Sequence, residues 1–219
     1  MSWWNNEAAL ELLPLLLEGF RITLLATLLG SLVALSLGLV FAFIERTAPE
    51  YVRRPVGWVL QFIRFTPPIA QLFFAFYVIR PSLGLKLDAL TVGIIVLGVH
   101  YATYNAEIYR AGIDGVPKGQ WEAITALSLP RNRAWFGVIL PQAFRRVMPS
   151  LGNNVIIMFK EVPVLSAIAV TEMVRVGKEF TSQHFAYYIE AFTIAGLIYL
   201  AASYPTSLLM RKLEVRFGN

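Results

Sequence analysis

Cysteine is absent from the 219 residues, which excludes a disulfide framework and any cysteine-based metal or redox site. Charge is scarce as well. Only 15% of residues are Asp, Glu, Lys or Arg against 57% hydrophobic, too few polar side chains to cover a water-facing surface. No basic run precedes the first long apolar stretch, so the beginning does not read as a cleaved signal peptide and is expected to stay as a first helix. Trp3 and Trp4 there suit a bilayer interface. Gly- and Ser-rich linkers, low-complexity tracts and tandem repeats are missing, which leaves residues 1–219 as a single transmembrane domain. The sequence holds no metal-ligand constellation. It also lacks Gly-x4-Gly-Lys-Ser/Thr and its variants, so no nucleotide-binding loop belongs to this chain.

What is present is apolar length. A bilayer core of about 30 Å needs roughly 20 apolar residues in a helix. The pattern predicts an all-α integral membrane protein with about five spans, at residues 20–44, 56–80, 89–110, 147–171 and 190–210. The first and last hold uncharged runs of full length. The second is interrupted by Arg64 and Pro67-Pro68, and the fourth by Lys160, Glu161 and Pro163. With five spans, Lys and Arg in alternate loops divide 13 against 5. Basic loops stay cytoplasmic, so the N-terminus is expected outside and the C-terminus in the cytoplasm. The net charge of +5 is accounted for by these flanks, and no nucleic-acid partner is implied.

The longest cytoplasmic connection, residues 111–146, is patterned like structure. Asp114 is placed to cap a helix with Pro117 near its first turn, and Pro130 to end or kink it. Residues 134–140 are apolar enough to lie against the membrane face before Pro141. Within this stretch Glu122-Ala123-Ile124, then Ser128, Val138 and Leu140-Pro141 resemble the EAA loop of ABC-importer permeases. That pattern reads Glu-Ala-Ala, three residues, Gly, nine residues, Ile, one residue, Leu-Pro. The spacing fits throughout, with Ile124, Ser128 and Val138 as departures, of which Ser128 for glycine bears most on backbone freedom.

The likeness extends further. Arg64-Phe65-Thr66-Pro67, the segment Tyr104-Asn105-Ala106-Glu107-Ile108-Tyr109-Arg110, Gly119-Gln120-Trp121-Glu122-Ala123 and Leu140-Pro141-Gln142-Ala143 are similar to elements of the polar amino-acid uptake branch. The resemblance implies the type I ABC-importer permease fold with a cytoplasmic coupling helix, in the bacterial inner membrane. It implies ATPase-coupling residues at Gly119, Glu122, Ala123, Ser128, Leu140 and Pro141. The implied partners are a second permease, the same or homologous, two ATPases and an extracytoplasmic solute-binding protein, in contact with membrane lipid. ATP and Mg are implied on the ATPase, no cofactor on this chain, and no catalysis by the chain itself.

Polar residues inside the spans are the candidates for a substrate pathway. A charge at the centre of a spanning helix costs about 2.5 to 3.5 kcal/mol, so adjacent Lys160 and Glu161 need partners, a water-filled cavity or an interface. Adjacent positions point about 100° apart and do not neutralise each other directly. Lys160 facing a substrate carboxylate and Glu161 a cationic group is one reading; a structural network with Glu107 is the other. Asn153, Asn154, Arg64 and Thr66 are further pathway candidates, and His100 reads as a packing residue. The segment from Phe159 to Ile168 is closer to the form associated with ectoine and hydroxyectoine permeases than to the usual branch. A polar amino acid or such a zwitterion is therefore the expected solute. An ion-coupled secondary transporter or channel would also carry intramembrane charge, but has no need of the EAA-like loop.

Overall fold

A computed structural model describes residues 4–217, so Trp3 lies outside the described residues. Every regular element among them is helical. Helix α1 runs from Asn6–Thr47, 42 residues. It begins well before residue 20 because the Asn5 side chain accepts hydrogen bonds from the Glu7 and Ala8 amides, and because Leu12 and Leu16 are buried against later elements. At about 1.5 Å per residue α1 is roughly 63 Å long, about twice a bilayer core.

The centre of the bundle is the crossing of α1 with α4 (Ala89–Asp114), and it is made possible by small residues. Ala26, Gly30, Ala34, Gly38 and Ala42 fall on every fourth position of α1 and all are buried. A Cβ on Gly38 would stand 2.6 Å from Asn105 Cβ and 3.0 Å from the Ala102 carbonyl oxygen. Without a hydrophobic drive between helices in lipid, such close backbone approach supplies the packing energy.

Residues 56–80 do not form one straight span. Helix α2 (Glu50–Phe65) and helix α3 (Pro68–Ser82) meet at 107° across Thr66 and Pro67, because Pro67 and Pro68 lack the amide protons that would carry the helix on. Arg46, in the last turn of α1, pairs with Asp114 at the end of α4, and Arg64, in the last turn of α2, pairs with Glu107.

After α4 comes the short helix α5 (Lys118–Ala126), and then α6 (Arg133–Ile168), which changes geometry twice along its length. It opens with a π-helical turn, Arg133–Ile139, becomes α-helical over Leu140–Glu161, and tightens to a 3₁₀ helix over Val162–Ile168. The π turn lets Pro141 follow, since the Leu140 amide reaches back five residues to the Trp135 carbonyl and the widened turn makes room for the proline ring. The same arrangement, Phe74–Ile79 before Pro81, occurs in α3.

Residues 134–140 are accordingly the first turns of α6. The connection expected at 111–146 narrows to the stretch between Asp114 and Arg133.

Helix α7 (Met173–His184) is held by the buried Glu172 carboxylate, which accepts from the Val174 and Arg175 amides at 2.9 and 2.7 Å. Burial pushes that carboxyl above its ordinary range, while the two amides pull it back. Met173 and Phe180 of α7 pack with Leu12, Leu16, Ala191 and Ala195, closing one end of α1 against α8 (Tyr188–Phe217). Among the described residues four helices, α1, α4, α6 and α8, are long and apolar enough to cross a membrane, and the bent pair α2–α3, taken as one broken span, would be a fifth. In its most apolar stretch α4 is 61% buried and α8 only 6%, so α4 is the axis of the bundle and α8 its outer stave.

Candidate functional site

Two groups of functional candidates emerge. The first is the face of α5. Asp114 does not cap this helix: it is the last residue of α4 and pairs with Arg46 at 2.6 Å, while Pro117 occupies the cap position of α5 without a side-chain hydrogen bond. Trp121 and Ile124, three residues apart and so on one face, pack against Val116, Trp135 and Ile139. The two indoles meet edge to face, 5.8 Å between centroids. Gln142 donates to Gln120 and to the Val138 carbonyl, fastening α5 to α6.

Pinning that side turns Gly119, Glu122 and Ala123 outward, all exposed. A Cβ on Gly119 would meet nothing within 4 Å, and Glu122 has no ion-pair partner among the described residues.

Ser128 explains its own place in the motif. Helix α5 ends at Ala126, short of Pro130, and Ser128 follows with φ at 47°, the left-handed region that glycine occupies without strain. The Leu129 amide bonds to the Ile124 carbonyl and the Ser128 amide to the Thr125 carbonyl, the paired bonds of a Schellman cap. Ser128→Gly is expected to keep this cap and stabilise the protein by about 1 kcal/mol, seen as a raised thermal unfolding midpoint of the purified protein. An unchanged or lowered midpoint would contradict the strain. Leu140 is half-buried and Pro141 exposed, together starting the α-helical part of α6.

The second group is a polar line inside the bundle, built on the broken α2–α3 elbow. The amides that Pro67 and Pro68 lack would have met the Ile63 and Arg64 carbonyls. Those carbonyls are met otherwise: Ile63 by Gln71 Nε2 at 2.6 Å and by the Thr66 hydroxyl at 3.1 Å, Arg64 by the Tyr104 hydroxyl at 3.4 Å. Gln71 also donates to the Thr66 carbonyl and hydroxyl, and its oxygen lies 3.2 Å from His100 Nδ1. Beyond His100 stand Tyr101 and the Glu161 carboxylate, close enough to interact electrostatically with both. The rings of His100, Tyr101 and Tyr104 lie 5.5 to 6.1 Å apart. Glu161 Oε2 is shut away from solvent with no hydrogen-bond partner. At the other end the Arg64 guanidinium lies 5.5 Å over the Tyr104 ring, bonds to the Thr103 carbonyl and pairs with Glu107, which continues to Arg110 and Glu45.

Arg64, Thr66, Glu107 and Glu161 are thus on one line. Lys160 is exposed on the neighbouring face of α6. Asn154 instead donates to the buried Asn105 at 2.9 Å, tying α6 to α4, and with exposed Asn153 it lines a separate groove with Ser207, Arg211 and Glu214. Gln71 and Tyr101 were not singled out from sequence and Tyr104 entered only through the branch motif, while His100 is buried with its Nδ1 satisfied by Gln71, as a packing residue would be. The available signal was their spacing: His100 and Tyr104 are four apart on one face of their helix, and Gln71 follows Pro67 by one turn.

Four apolar helices and a bent fifth element joined by a polar line, with a short helix presented outward from their ends, define a membrane transport subunit of the type I ABC-importer permease fold. The chain belongs to the family described as binding-protein-dependent transport system inner membrane component, whose profile matches residues 34–219. It is 42% identical over 213 residues to the probable amino-acid ABC transporter permease protein y4tG of Sinorhizobium fredii, covering 96% of this chain and 91% of that one. To the glutamine transport system permease protein GlnP of Escherichia coli it is 33% identical, over 93% of each. Among solved structures, an amino acid ABC transporter crystallised with histidines superposes with a TM-score of 0.89 at 29% identity, over 97% of this chain and 99% of that one. The MetNI methionine ABC transporter, at 0.68 and 19% identity over 91% and 96%, shares the fold.

Proposed function

We propose that this chain forms the translocation pathway of an ATP-driven importer for a polar amino acid or a related zwitterion, and that α5 couples it to a separate ATPase. The observation that carries this is the outward presentation of Gly119, Glu122 and Ala123 by a helix pinned from behind through Trp121 and Ile124. A rigid element of that kind transmits closure of a neighbouring ATPase to the spans. ATP and Mg bind the ATPase and no cofactor binds this chain. The charge asymmetry supports an N-terminus outside and α5 in the bacterial cytoplasm.

Lys160 and Glu161 supply opposite charges for a zwitterion, the ammonium for its carboxylate and the carboxylate for its cation. Lys160 facing hydrocarbon would cost about 2.5 to 3.5 kcal/mol, which supports a second permease, the same or homologous, covering that face. An extracytoplasmic binding protein delivers the solute. Relatives named for glutamine, arginine and cystine support an amino acid; the segment from Phe159 to Ile168 is what favours ectoine or hydroxyectoine. Proteoliposomes holding the complete system, loaded with ATP and offered labelled glutamine, arginine, cystine and ectoine, separate the two. Saturable uptake of at least one is expected, and no uptake of any would reject the substrate class.

A further inference from the structure

The Gln71 side chain has a fixed orientation that determines the protonation pattern of His100. Its Nε2 faces three acceptors, the carbonyls of Ile63 and Thr66 and the Thr66 hydroxyl, at 2.6, 3.0 and 2.7 Å. The amide nitrogen must therefore lie on that side and Oε1 on the other, 3.2 Å from His100 Nδ1. A carboxamide oxygen only accepts, so Nδ1 carries the proton. In a neutral ring Nε2 is then bare, the reverse of the arrangement that a free histidine side chain prefers.

The ring is 4% exposed, so bulk water does not choose between its tautomers. Its neighbour Glu161 holds Oε2 buried and without a hydrogen-bond partner. The bare imidazole nitrogen and Glu161 Oε2 are two acceptors left without a donor, the latter in a carboxylate that otherwise meets the Tyr101 side chain. The rings of Tyr101 and Tyr104 pack 5.5 Å from the imidazole, and the Tyr104 ring already carries the Arg64 guanidinium.

We propose that Gln71 is a positioning residue that locks His100 in its Nδ1–H tautomer, so that His100 Nε2 and Glu161 together accept from the cationic nitrogen of a ligand. One side chain thereby does two things at the elbow: its nitrogen satisfies the Ile63 carbonyl freed by Pro67, and its oxygen sets the chemistry of the polar line. The class of ligand is one with at least two N–H donors on a positively charged nitrogen or amidinium, and this part rests on the transport function proposed above.

The tautomer is read by nitrogen-15 solid-state NMR of the assembled importer in lipid, with only this chain labelled on histidine. The chain has two histidines, so a His184→Gln background leaves His100 alone. A protonated Nδ1 with a bare Nε2 is expected. Gln71→Glu keeps an acceptor for Nδ1–H and should keep the tautomer, whereas Gln71→Leu should move the proton to Nε2. A role for Gln71 in the elbow alone predicts no such difference. A proton on Nε2 of the unsubstituted ring, alone or with Nδ1, overturns the proposal, as does a tautomer unchanged in Gln71→Leu. If Gln71→Leu does not assemble, the spectrum with Gln71 in place still decides.

The ligand half is read from uptake by the same complex. Gln71→Leu is expected to raise KM for a transported zwitterion by about tenfold, the loss of one hydrogen bond's worth of binding, with maximal rate within about twofold. An unchanged KM removes the acceptor pair while leaving the tautomer result standing. Because the spectra need no transport, failure of the proposed function and failure of this inference are distinguishable.

Discussion

Glu122→Lys should separate the permease from its ATPase. Glu122 is exposed on the outward side of α5 and has no ion-pair partner within the described chain, so reversing its charge leaves the internal packing of Trp121, Ile124 and Trp135 untouched. What changes is the surface offered to a partner. Replacing a carboxylate that meets basic or amide donors by an ammonium loses a charge-assisted bond and adds repulsion, about 2 to 5 kcal/mol. That corresponds to roughly 30-fold to several-thousand-fold weaker association. Co-purification through an affinity tag on the ATPase measures it. The permease should remain membrane-inserted and folded while its recovery with the ATPase is lost. Full recovery would mean that α5 docks elsewhere or not at all. A parallel Trp121→Ala variant loses the packing behind the helix and should lower thermal stability as well, which the charge reversal should not.

Glu161→Gln is the second large effect, and it falls on affinity. The substitution preserves shape and removes the charge from a carboxylate whose Oε2 is buried without a partner, so the fold loses no hydrogen bond at that atom. A bound cation loses a charged acceptor, about 1.5 to 3 kcal/mol. KM for a zwitterionic solute should rise by about 10- to 150-fold in reconstituted uptake, with normal assembly. Lys160→Met should act on the same solute through its carboxylate. Both variants assembling normally and transporting with unchanged KM would take Lys160 and Glu161 out of the pathway and leave them a structural role.

Much of the architecture was legible because lipid imposes a simple rule. Uninterrupted apolar length marks α1 and α8, and prolines mark the places where α2–α3 and α6 change course. The angle at the first of these was not legible, since Pro67-Pro68 announces a break and says nothing of direction. The 107° bend comes with contacts distant in sequence, among them Arg64 to Glu107, 43 residues away. Asp114 was misassigned for a related reason. An acidic residue shortly before a proline is a helix-start signal, but here Arg46, 68 residues earlier, holds it at the end of α4. The ladder from Ala26 to Ala42 was visible in the sequence at every fourth position and predicts the α1–α4 contact once small residues are counted rather than apolar ones.

The short helix bearing the EAA-like motif was legible because its spacing maps onto local geometry. Trp121 and Ile124 on one face, Glu122 and Ala123 on the other, and a left-handed residue at Ser128 all follow from a short capped helix. The polar line did not, because its links are long-range. Gln71 gains meaning only when the elbow folds its nitrogen onto Ile63 and Thr66 and its oxygen onto His100. Asn154 illustrates the converse: a polar residue in a span reads as a pathway candidate until its partner is known, and that partner is Asn105.

The central claim is that this chain moves solute only when a separate ATPase acts on it through α5. Vectorial uptake into proteoliposomes tests it most directly, comparing the complete system with and without ATP against the chain alone. Uptake that needs the ATPase and ATP, and that Glu122→Lys abolishes, is the result expected. Uptake by the chain alone in ATP-free liposomes would contradict it and identify an ion-coupled carrier or a channel.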